Sequence, residues 1–306
     1  PLAQLAPIQR DTNHERRKQA WLLAEDRVKQ DRDAHDELWR QYMDIRRQLA
    51  KNAGFDNYRQ YIWVNRFRHD YTPDDAIQFA DAILQVVVPV QERLYEQRRK
   101  QLGYDTLRPW DTSVDPLGRE PLHPYTDIED FINKSEAVFY HVDPELGANF
   151  TTMKTENLLD LENRVGKGPG GYNIHLPASN RSFIFMNAVK LAHDVKTLLH
   201  EAGHAFHAFA YGKLDYMPQM WNTAEFYEVA AMAMELLASP YLSTTHGGYF
   251  TETEAARFRA DHMRAIIPLW TFIGIGTAFQ HWIYTNHDRA TDPKNCDAKW
   301  LELWTQ

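Results

Sequence analysis

From Thr197 to Phe206 the chain reads Thr-Leu-Leu-His-Glu-Ala-Gly-His-Ala-Phe, and Glu201 is the only acidic or basic residue besides the two histidines. A helix this poor in charge belongs in the interior. A buried carboxylate between two imidazoles then needs a cation or a strong donor as partner. Residues four apart on a helix are about 40° apart around its axis, so His200 and His204 face one way. That spacing suits the gripping of a single Zn²⁺, one per chain. Glu201, beside the first histidine, is placed to act as the base toward a water that the metal activates. Gly203 sits between them at a cost of about 1 kcal/mol relative to alanine in a helix interior, so a close neighbour is expected there.

A catalytic zinc takes three protein ligands and keeps one position open. The metzincin pattern H-E-x-x-H-x-x-G-x-x-H is excluded, because His207 stands in its glycine position and Ala210 in that of its last histidine. The third ligand is therefore sought on the next helix. Asn222-Thr223-Ala224-Glu225 resembles a capping box, with Asn222 as the cap, and the helix from Phe226 stops near Ser239, before Pro240. It carries Glu225, Glu228 and Glu235 around an apolar run from Val229 to Met234, which predicts burial on all sides. Glu228 is the preferred ligand and its neighbour Glu225 the alternative. His207 shares the ligand face and is read as a supporting or substrate-contacting residue, or else as a hydrogen-bonded core histidine. Asp194 and Glu235 are candidates to hold the outer N–H groups of the ligand imidazoles. Each could equally be a helix cap or a buried pair partner.

The remainder reads as mainly α-helical. Apolar residues recur at helical spacing from about 10 to 50, and Asn52-Ala53-Gly54 ends that stretch. A second helix opens after Thr72-Pro73-Asp74-Asp75 and runs to about 102 with an interruption at Pro89. Gly166-Lys167-Gly168-Pro169-Gly170-Gly171 is a glycine-rich turn, or a mobile loop that closes on a ligand through Gly170, Gly171 and Tyr172. It lacks the G-K-[ST] ending of a phosphate loop and leads into a strand. Residues 171–187 predict a β-hairpin whose exposed edge could bind an extended peptide through backbone hydrogen bonds. Ile266 to Tyr284 is as long as a membrane span, but Pro268, two glycines, Gln280 and His281 favour a pair of buried core helices. The formal net charge of −8 argues against nucleic acid as a partner. Cys296, the single cysteine, fits a reducing compartment and hence a cytoplasmic location. The chain divides into a helical region, 1–125, and a metal-bearing region, 126–306, expected to form one continuous unit.

The segment Asp194-Val195-Lys196-Thr197-Leu198-Leu199-His200-Glu201-Ala202-Gly203-His204-Ala205-Phe206-His207 resembles the zinc signature H-E-x-G-H-x-x-H of the thimet oligopeptidase and oligoendopeptidase F family. In that family the third ligand is the last glutamate of a D/E-F-x-E-like element. Glu225-Phe226-Tyr227-Glu228 is similar, which carries the role onto Glu228. The glycine-rich stretch to Tyr172, the strand Phe183-Ile184-Phe185-Met186-Asn187, and upstream Asn57-Tyr58-Arg59 and Asp70-Tyr71-Thr72-Pro73 are also similar, so the resemblance covers most of the chain. It implies a helical metallopeptidase fold with a deep channel and a small β-sheet edging the cleft. It implies a zinc endopeptidase that cleaves short peptides rather than folded proteins; the absence of a membrane partner is expected from the residues of Ile266 to Tyr284, not from the resemblance. A zinc carboxypeptidase and a non-catalytic peptide-binding fragment are the alternatives. The family also carries a later tyrosine-rich segment with a histidine that faces the metal. None appears before Gln306, so the resemblance implies an incomplete chain.

Overall fold

Short polar side chains set several helix boundaries in the computed structural model, which describes residues 2–306. Helices α1 (His14–Lys29) and α2 (Arg32–Asn52) are followed by α3 (Tyr58–Asn65), α4 (Pro73–Val86) and α5 (Val88–Leu102). Asn57 caps α3 by accepting from the amide of Gln60, and Thr72 and Asp75 form a reciprocal capping box at α4. After an irregular stretch come α6 (Ile128–Val142) and α7 (Pro144–Thr155), capped by Asp127 and Asp143. Strands β1 (Leu159–Glu162), β2 (Tyr172–Leu176) and β3 (Arg181–Ala188) precede α8 (Ala192–Tyr211) and α9 (Ala224–Leu237). The chain closes with α10 (Glu252–Thr285), α11 (His287–Ala290) and α12 (Pro293–Trp304).

The chain forms two compact units. One comprises Pro1–Trp21 with Arg108–Asp261, and the other Leu22–Leu107 with His262–Gln306. In the first, Phe131, Phe139, Phe150 and Met153 from α6 and α7 meet Ile184 and Met186 of β3 and Val195, Leu198, Ala202 and Ala205 of α8. Each such aromatic or branched side chain contributes roughly 1.5–3 kcal/mol by leaving water. In the second, Met43 of α2 packs with Ile283 and Ala290.

The sheet has the order β1-β3-β2, with β3 parallel to β1 and antiparallel to β2. Strand β3 alternates by the period of two, burying Ser182, Ile184, Met186 and Ala188. The expected hairpin is present in the register Tyr172↔Phe185 to Leu176↔Arg181. Strand β1 was not anticipated, because two of its four residues are carboxylates. The glycine-rich loop is tied down on both sides. Lys167 Nζ donates to the carbonyls of Asp160 and Glu162, and Asn187 Nδ2 donates to those of Gly168 and Gly170.

Several expectations need correction. The N-terminal helical stretch turns at Gln30 and Asp31, giving two helices without a glycine or proline at the break. Pro268 lies inside one continuous helix of 34 residues, where a pair was expected. Proline removes a single donor from the ladder, and the bonds on either side are enough to carry the helix through. The stretch from Ile266 to Tyr284 is not wholly buried either, since Trp270, Phe272 and Ile273 are exposed. Among the described residues no helix is long and apolar enough to cross a membrane. Helix α9 is capped at Thr223, without a side-chain bond, and not by Asn222. It is also not buried all round: Ala231, Met234 and Glu235 face inward, while Phe226, Val229, Leu236 and Leu237 are exposed. An apolar run fixes that a helix buries one face, and here only the face toward α8 is used.

Candidate metal centre

Helices α8 and α9 approach each other at Gly203. A Cβ built there would lie 2.6 Å from the Cα of Ala231, 2.8 Å from the carbonyl oxygen of Ala230 and 2.9 Å from the Cβ of Met234. Hydrogen in place of a methyl group thus lets the two backbones meet. The polar edge of α9 is thereby drawn onto the histidine face of α8.

The consequence is a cluster of three donors. His200, His204 and Glu228 each offer one atom, and these atoms lie within 4.8 Å of one another. Glu228 Oε2 is 3.3 Å from His200 Nε2, and Glu228 Oε1 is 3.7 Å from His204 Nε2. Two bonds of about 2.1 Å meeting at a tetrahedral angle span about 3.4 Å, so two imidazoles and a carboxylate at these separations fit one zinc ion. Glu228 itself is 57% exposed, which corrects the expectation of a buried carboxylate. It reaches the cluster from the rim of α9. Glu225 is exposed and is not a member of the cluster.

Glu235 is buried at 4% side-chain exposure, and its Oε1 lies 2.8 Å from His200 Nδ1. An ionised carboxylate can only accept, so Nδ1 is the protonated nitrogen and Nε2 turns its lone pair toward Glu228 and His204. Lys196, one turn before His200, places Nζ 3.6 Å from Glu235 Oε2. Burial pulls the His200 pKa down, but the Glu235 hydrogen bond and the charges of Glu235, Glu201 and Glu228 outweigh it, and the net shift is upward. His204 is shifted downward by burial, helped by His200 and His207 and opposed by Glu228.

Glu201 is 7% exposed. Burial raises its pKa, Glu228 adds to the rise, and His200 opposes it. No hydrogen bond contributes to that balance. The carboxylate is therefore held above the ordinary range and left free to accept a proton.

The other anticipated residues are distributed as follows. Asp194 is buried at the start of α8, where its Oδ2 accepts from the hydroxyl of Tyr125 and the amides of Val189 and Leu191. These partners fasten the turn into α8, so Asp194 acts at the helix start. His207 stands on the same face of α8 but packs against the rings of Tyr211, Phe226 and Tyr227, and its Nδ1 is buried without a hydrogen-bond partner. Gly171 lies against α8, where a Cβ would be 3.2 Å from Thr197 Cγ2. Gly170 adopts φ +97°, and Tyr172 stacks on Phe185 with its ring half-exposed. His175 of β2 meets Tyr211 edge to face. Gly171 at Thr197 and His175 at Tyr211 thus bracket the histidine turns, and β2 packs along that stretch of α8. Lys196 and Tyr125 were not anticipated. Lys196 is four residues before His200, a spacing that could have flagged it, whereas nothing near Tyr125 in the sequence points to Asp194.

Residues 8–306 match the family model described as Peptidase family M3. An oligoendopeptidase F homolog of Lactococcus lactis subsp. lactis is 25% identical over 232 residues, covering 76% of this chain and 35% of that protein. Among solved structures, PZ peptidase A with an inhibitor superposes with a TM-score of 0.91 at 26% identity, over 99% of this chain and 52% of that one. An oligoendopeptidase F structure from Bacillus anthracis str. Ames gives a TM-score of 0.90 at 25% identity, over 99% of this chain and 54% of that one. The chain thus spans about a third of the length of the relative and half that of the solved chains.

Proposed function

The chain belongs to Peptidase family M3, and on that premise we propose that it is the metal-bearing part of a zinc endopeptidase that hydrolyses short peptides. The observation that carries this reading is the convergence of His200, His204 and Glu228 from two helices beside the unpaired, buried Glu201. When bound, zinc supplies a Lewis acid for the scissile carbonyl and makes water more acidic. His200, His204 and Glu228 would hold it.

The protein's own groups do the rest. Glu201 accepts a proton at its carboxylate from the attacking water and delivers it to the departing amine nitrogen, and its raised pKa suits both transfers. Glu235 keeps the imidazole of His200 oriented through Nδ1. Among the described residues β2 is an edge strand paired only with β3, and its other edge is suited to take an extended peptide backbone as an added strand. Such binding asks little of the peptide's side chains. A cytoplasmic location is in keeping with Cys296 as the single cysteine.

The test is Glu201→Gln in the full-length protein. It retains one zinc per chain and loses hydrolysis of a quenched peptide by a factor of about 10² or more. Equal turnover by the variant and the parent would refute the role of Glu201. End-group analysis of the products separates internal cleavage from carboxypeptidase trimming.

A further inference from the structure

The second unit contains a cavity of about 450 Å³ formed by the C-terminal half of α2, the start of α3 and the segment joining α10 to α11. That volume suits a small molecule. On a chain of net charge −8, its lining is unusual in bringing together three arginines, Arg46, Arg47 and Arg289, against two aspartates, Asp56 and Asp288. Asp288 is already engaged, 3.1 Å from Arg47 Nη1.

Arg46 differs from its neighbours. Its guanidinium carbon lies 3.8 Å from the ring centroid of Tyr42, 4.6 Å from that of Tyr58 and 5.4 Å from that of Tyr284. Stacking on ring faces uses the face of the cation and leaves its in-plane N–H donors unspent. No acceptor among the described residues takes them up, and no carboxylate reaches ion-pair distance. Nearby polar groups have other partners. Asn57 Oδ1 caps α3, Asn286 Nδ2 donates to the carbonyl of Trp282, and His287 Nε2 faces the carbonyl of Met43. Burial lowers the Arg46 pKa, Tyr58 opposes the shift and Arg66 adds to it, and no carboxylate is among the groups that act on it.

A half-buried guanidinium with unmet donors, opening on a cavity of ligand size, is arranged to receive a planar or tetrahedral oxyanion. We propose that this cavity binds a small molecule through a carboxylate or phosphoryl group held in the plane of Arg46, with Tyr58 and Tyr284 as walls and the exposed Arg289 as a second cation. None of these residues belongs to the metal cluster, so the proposal stands independently of the peptidase reading.

The experiment is calorimetric titration of inorganic phosphate, and separately of succinate, into the full-length protein at constant ionic strength. Saturable binding of either is expected, weakened at least tenfold in Arg46→Gln and about threefold in Arg289→Gln. Phosphate alone identifies a phosphoryl group, succinate alone a carboxylate, and both their shared chemistry. Thermal melts without anion establish that the variants fold; if Arg46→Gln does not, Arg289→Gln at its exposed position carries the test. Absence of saturable binding by the parent overturns the proposal. So does binding that is unchanged in the folded variants, which would place the anion elsewhere.

Discussion

Glu235 Oε1 stands 2.8 Å from Nδ1 of His200, and the two residues are 35 positions apart on neighbouring helices. The contact fixes which nitrogen of His200 carries the proton, and it does so from a carboxylate that is nearly inaccessible to solvent. Removing the charge loosens the imidazole without deleting a metal ligand. Glu235→Gln is therefore expected to weaken zinc binding by about 10- to 100-fold, measured by competition with a chromogenic chelator. Unaltered affinity would mean that the contact does not position the ligand.

Gly203→Ala sets two effects against each other. Alanine favours the helix by about 1 kcal/mol over glycine. The added methyl would meet the backbone of α9 at 2.6 Å, and overpacking of this kind costs about 1–3 kcal/mol. The clash outweighs propensity, because its nearest atom is a Cα that cannot swing aside. A melting temperature lowered by a few degrees, together with weaker zinc binding, is expected. A raised melting temperature would show that α9 yields freely.

Much of this site was legible in the sequence because it is local. His200, Glu201 and His204 lie within two turns of one helix, and periodicity alone puts the imidazoles on one face. Glu228 was legible from its place near the start of the next helix, but its exposure was not. The apolar run Val229 to Met234 says that a face of α9 is buried, and only its packing on α8 shows which. Asp194 illustrates the same limit. Its sequence position suits either a cap or a partner for an imidazole, and the choice depends on Tyr125, 69 residues away. The continuity of α10 through Pro268 was misread for a related reason, since a proline marks a lost hydrogen bond but not whether the flanking turns survive it.

Cys296 gives a pH-dependent prediction. Burial, and then the charge of Asp297, push its thiol up to about 11, and Sγ donates to the carbonyl of Ala290. A raised folded-state value favours the neutral thiol, so its contribution to stability is complete below the unfolded value of 9.0 and is lost as pH rises through about 11. At pH 8 the thiolate fraction is on the order of 10⁻³, and reaction with a disulfide reagent should be far slower in the native protein than after denaturation. Equal rates in the two states would contradict this.

On the proposed reading His200, His204 and Glu228 together hold one zinc ion. This is tested most directly by the equilibrium zinc affinity of the full-length protein and of its Glu228→Gln and Glu225→Gln variants, measured side by side. One tightly bound zinc per chain is expected in the parent, with affinity lowered at least about 100-fold in Glu228→Gln and unchanged in Glu225→Gln. Loss of zinc from Glu225→Gln with Glu228→Gln unaffected, or a parent protein that binds no stoichiometric zinc, would contradict it.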